Sequence, residues 1–82
     1  MTNIDYSSLP IHCQEGMRDY IEHQCPTGGF LYAVLSNDLR MAFLKADDVN
    51  ALRIKDYLVF LERHAPPQCY GSKENVERWL YP

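Results

Sequence analysis

Eighty-two residues with eleven acids against eight Lys and Arg, a formal net charge of −3, make one domain and exclude the clustered basic surface on which non-specific nucleic-acid binding rests. A hydrophobic share of 46%, with six Tyr and three Phe, is ample for a core and excludes intrinsic disorder. A chain this short buries only roughly 60% of the surface its unfolded form exposes, so a homo-oligomer is the default expectation.

The charge is unevenly placed. Asp5, Glu15, Asp19 and Glu22 face a single base, Arg18, before Gly28, whereas the remainder is balanced. The first helix is therefore acidic, which disfavours direct contact with nucleic acid. Cys13, Cys25 and Cys69 are odd in number and contain no C-x-x-C pair, which fits reduced thiols in a cytoplasm better than a secreted disulfide framework. No basic-plus-apolar leader opens the chain and no apolar run approaches the roughly 18 residues a span requires, so neither membrane insertion nor export is expected.

In chain order, residues 1 to 10 read as a polar arm ending at Pro10, and residues 11 to 82 as a single helical domain. From Ile11 to about Gln24, Cys13, Met17, Tyr20 and Ile21 recur at helical spacing. Gly16 in their midst costs about 1 kcal/mol against Ala, which implies a close neighbour or a weak helix. Cys25-Pro26-Thr27-Gly28-Gly29 breaks the chain, and Thr27 or Gly28 caps a second helix. Its stripe is Leu31, Val34, Leu35, Leu39 and Ala42, broadened by Phe30 and Phe43, with a kink expected at Ser36-Asn37-Asp38.

Asp47 or Asp48 then caps a third helix that runs to about His64. Val49, Leu52 and Val59 share one stripe there, and the second half, apolar nearly all round, is expected to be the most buried segment. Pro66-Pro67 ends it, and a loop leads to Ser72, which caps a short last helix anchored by Trp79. The expected fold is all-α, a small bundle of four helices built on a central hairpin from Gly28 to His64.

Pro26-Thr27-Gly28-Gly29-Phe30-Leu31, Ala33-Val34-Leu35 and Asn37-Asp38-Leu39 form a pattern that continues through Ala46-Asp47, Asn50, Ala65-Pro66, Cys69-Tyr70-Gly71-Ser72, Asn75-Val76 and Trp79. Across residues 11 to 80 it resembles a family of short phage and prophage proteins of unassigned activity, in which an aromatic, often Trp, stands where this chain has Tyr70. The resemblance implies a viral accessory protein in the host cytoplasm. By analogy of origin it implies a counter-defence role, in which the protein sequesters a nucleotide-type signal or blocks a host defence protein. The alternative is an adaptor or regulator that docks on nucleic acid or on another phage protein.

The candidate ligand-binding residues are those of the polar turn, Asn37, Asp38, Asp47 and Asn50, whose amides and carboxylates can converge on hydroxyls or base edges. Arg40, or Arg53, is available for a phosphate. The plain alternative is that Asp47 and Asn50 belong to a cap while Asn37 and Asp38 bond to backbone at the kink. Thr27, Gly28 and Gly29 offer free N–H groups to an anion, but no Lys stands beside them in sequence, and a simple interhelical turn accounts for them. Tyr70, beside Gly71, can stack on a planar ligand.

His23 with Cys25 and His64 with Cys69 lack the spacing of zinc modules, so no metal and no cofactor is expected. His12 with Cys69 carries no nucleophile signature. Adjacent Asp47 and Asp48 point about 100° apart on a helix and cannot share one scissile bond, so no enzyme activity is expected.

Overall fold

The computed structural model describes residues 4–82, and all regular structure in it is helical. The first three residues of the expected arm lie outside the described residues. Ahead of Pro10 the chain supplies two core residues, Tyr6 and Leu9, with Tyr6 tilted against Phe60 at 5.3 Å between ring centroids. Five α-helices follow: α1 (Ile11–His23), α2 (Gly29–Leu35), α3 (Leu39–Lys45), α4 (Asp48–His64) and α5 (Lys73–Leu80), with a 3₁₀ turn at Pro67–Cys69 before the last.

α1 buries Cys13, Met17, Tyr20 and Ile21, the residues its spacing selects. A Cβ on Gly16 would lie 3.4 Å from Leu31 Cδ1, so the glycine lies under the Leu31 side chain of α2. The helix ends at Gln24, left-handed at φ 52°, with the Gln24 and Cys25 amides donating to the carbonyls of Tyr20 and Asp19.

The expected second helix is two short ones, and the four-helix count changes to five. Asn37 adopts φ 63°, and its N–H and that of Asp38 donate to Val34 O and Ala33 O, closing α2 in the manner of a helix C-terminus. Asp38 then accepts from the Met41 N–H at 3.1 Å and starts α3. The split changes which side chains face inward: Leu31, Val34, Leu35 and Ala42 are buried, but Leu39 and Phe43 of the same expected stripe are exposed.

α4 departs from expectation in a similar way. Its buried residues are Asn50, Ile54, Tyr57, Phe60 and Leu61, while the stripe of Val49, Leu52 and Val59 faces outward together with Leu58. The second half is therefore apolar all round without being buried all round. α2 is the hub, packing against α3, α4 and α5, with Phe30 edge-on to Tyr57 at 5.2 Å.

Ser72 caps α5 by accepting from the Asn75 N–H, and Val76 is buried beneath it. Trp79, expected to dock the last helix on the hairpin, instead reaches α1, its indole N–H donating to Tyr20 O at 2.8 Å. The loop ahead of α5 is pinned by Gly71, whose φ of 104° only glycine adopts freely and whose N–H donates to Leu35 O at 2.8 Å.

Candidate functional site

The four residues of the polar turn stand at two turns rather than one. Asn37 and Asp38 precede α3, Asp47 follows it, and a seven-residue helix, about 10 Å long, separates them. Each has local work. Asn37 supplies the left-handed residue that closes α2, and Asp38 caps α3. Asp47, not Asp48, caps α4, accepting from the Asn50 N–H at 2.7 Å, while its second oxygen stands 3.5 Å from His12 Nε2. The recess bordered by Asn37, Asp38 and Ile54 has a volume of about 30 Å³, which admits a water and not a nucleotide.

Asn50 is only 5% exposed. Its Oδ1 accepts from the Tyr57 hydroxyl at 2.7 Å, and the Cys13 thiol lies against both ends of the amide at 3.7 and 3.8 Å. Burial, then the contact with Cys13, holds the Tyr57 hydroxyl well above the usual tyrosine range. This is a satisfied polar knot joining α1 to α4, with the amide buried inside it.

Gly28 is the N-cap of α2, and Thr27 turns its hydroxyl onto Gly28 O. The lysine absent from the local sequence is supplied by the fold: Lys45 from the end of α3 lies over Gly29, where a Cβ would meet its Cδ at 2.9 Å. Arg40 is exposed on α3 and has no carboxylate within ion-pair distance among the described residues. Arg53 bonds to Asp56 and to Ser8 O, so it is committed within the fold.

Tyr70 is partly buried, its hydroxyl 3.4 Å from Glu62 Oε2 and its carbonyl accepting from Asn75 Nδ2. Beside that carbonyl runs an open groove of about 310 Å³ lined by Gln68, Asn75, Arg78 and Trp79, in which Arg78 donates to Asn75 Oδ1 at 2.6 Å. Spacing alone gave no sign of this groove, because it forms only when α5 folds back on the 3₁₀ turn.

The thiols and histidines do not assemble. Cys13 and Cys69 are buried, Cys25 is exposed, and among the described residues no three His, Cys, Asp or Glu side chains are grouped to hold a metal ion. Burial pushes the Cys69 thiol up to about 11, and His12 faces Asp47 rather than Cys69. Among the described residues no helix is long and apolar enough to cross a membrane.

What the surface does offer is apolar. On α3, Phe43 (52% exposed) and Leu44 (66%) flank Arg40 on the side away from buried Ala42, while Leu39 (63%) lies at the border of the recess beside Ala42. On α4, Leu52 is 87% exposed. Apolar side chains of this size exposed side by side on one helix face are candidates for a docking surface. Comparison of the chain with known protein families, curated proteins and solved structures finds no match.

Proposed function

We propose that this chain is a non-enzymatic accessory binding protein of the phage type its sequence resembles, acting in the host cytoplasm by docking on a host defence protein through the outward face of α3. The observation that carries the reading is the pair of exposed Phe43 and Leu44 flanking Arg40, which has no carboxylate within ion-pair distance among the described residues. An apolar patch with one central guanidinium suits a hydrophobic protein surface that carries a carboxylate, since aromatic and Arg side chains concentrate binding energy. Sequestration of a nucleotide-type signal has less support, because the polar turn residues serve as caps and the recess beside them is water-sized.

The test pairs a calorimetric titration with a plating assay. Cyclic nucleotides and cyclic ADP-ribose-type ligands are expected to give no heat. In bacteria protected by a defence system that the wild-type protein overcomes, Phe43→Asp and Leu44→Glu are expected to abolish phage plating while circular dichroism stays unchanged. Asn37→Gly, which suits the left-handed backbone there, is expected to retain it. Heat with any nucleotide, or full plating with both α3 variants, overturns the reading.

A further inference from the structure

The outward face of α4 is a separate surface with a charge pattern of its own. Buried Asn50, Ile54, Tyr57, Phe60 and Leu61 define the inner side. Opposite them, at 100° per residue, Leu52 and Val59 lie seven residues apart along one line. Leu52 is among the most exposed large apolar side chains in the molecule. Two adjacent charge pairs straddle that line, Lys55 with Asp56 and Glu62 with Arg63, and their order of sign reverses from one pair to the next. Lys55, Glu62 and Arg63 are exposed, and Asp56 is half-buried beside Arg53.

We infer that this face binds a second copy of the chain, with the two α4 helices parallel and in register about a two-fold axis. In that arrangement Leu52 meets Leu52 of the other copy and Val59 meets Val59, while each flank of one helix faces the opposite flank of the other. Lys55 then stands opposite Asp56, and Glu62 opposite Arg63, each pair occurring twice. An antiparallel pairing brings each flank against itself. The shift that would match charges there, centred on Val59, leaves Leu52 uncovered. A second copy is thus the one occupant whose charge order is already known to fit, and the parallel register covers both apolar residues at once. The inference uses α4 alone, so its failure leaves the α3 reading untouched.

Sedimentation equilibrium of the whole chain across the micromolar range is expected to show a dimer. Leu52→Lys, at a site too exposed to disturb folding, is expected to weaken it by about ten-fold or more. Glu62→Arg and Arg63→Glu should each weaken it and the double exchange restore it. In a Cys25→Ser background, Leu52→Cys should cross-link on mild oxidation, whereas an antiparallel dimer centred on Val59 holds the two thiols about 20 Å apart and gives none. A monomer throughout, a dimer indifferent to Leu52→Lys, no rescue by the double exchange, or no cross-link overturns the proposal.

Discussion

At the scale of single residues, the short amides and acids that stand out in the sequence are used by the backbone and the core. Asn50 shows this most clearly. Its side chain accepts from the buried Tyr57 hydroxyl and rests on the Cys13 thiol, so the amide is enclosed by α1 and α4. Asn50→Ala leaves that hydroxyl buried without an acceptor and is expected to cost about 2–3 kcal/mol in urea unfolding. Tyr57→Phe removes the donor and leaves Asn50 its thiol contact, and is expected to cost about 1 kcal/mol. Because both changes break the same bond, the double variant should be no less stable than Asn50→Ala alone. Additive costs would show that the two residues act separately.

At the scale of elements, the inward face of α1 and the caps of the last two helices were legible in the sequence, whereas the split of the second helix and the outward stripe of α4 were not. Asp38, Asp47 and Ser72 cap because a short polar side chain before an apolar run has one productive use, which is local. The split at Asn37 was legible as a kink but not as the end of one helix and the start of another, because only the tertiary packing of α3 on α2 decides whether a left-handed residue is tolerated there. The stripe of Val49, Leu52 and Val59 was legible as a stripe but not as one that points outward, since periodicity finds an apolar face without saying whether this chain or another covers it. The salt contact of His12 with Asp47 and the bond from Tyr20 to Cys69 O join positions too distant in sequence for any spacing rule to pair.

Gly16 carries a prediction at this scale. An added Cβ meets Leu31 Cδ1 at 3.4 Å, a contact that a flexible leucine end can relieve by a small shift. The gain in helix propensity is about 1 kcal/mol. Gly16→Ala is therefore expected to stabilise by about 0.5–1 kcal/mol, and Gly16→Leu, which must displace Leu31, to destabilise. A loss of stability with Ala, measured by thermal unfolding, would mean that α1 and α2 cannot separate by even that little.

At the scale of the whole molecule, the distribution of buried hydroxyls and thiols sets how stability responds to alkali. Tyr6, Tyr20 and Tyr57 are all raised above the ordinary tyrosine value, first by burial. For Tyr6 the Glu22 carboxylate adds to the shift, and Cys69 is pushed to about 11 from an ordinary 9.0. The folded chain therefore keeps protons that the unfolded chain releases, first from the thiol near its ordinary value and then from the tyrosines near 10. Since raised groups stabilise fully below their unfolded values, they impose no slope at neutral pH, and stability falls as pH rises past about 9. Each group that is ionised only in the unfolded state contributes about 1.4 kcal/mol per pH unit to that fall. Above about pH 10.5 the slope should steepen towards that of several protons, ending in cooperative alkaline unfolding. Tyr57→Phe supplies the internal check: it lowers stability at neutral pH but removes one titrating group, so its unfolding free energy should fall less steeply than the wild type's by about one proton in alkali. Parallel curves for the two proteins would mean that the Tyr57 hydroxyl ionises as readily in the folded chain as in the unfolded one, which its burial against Asn50 and Cys13 does not permit.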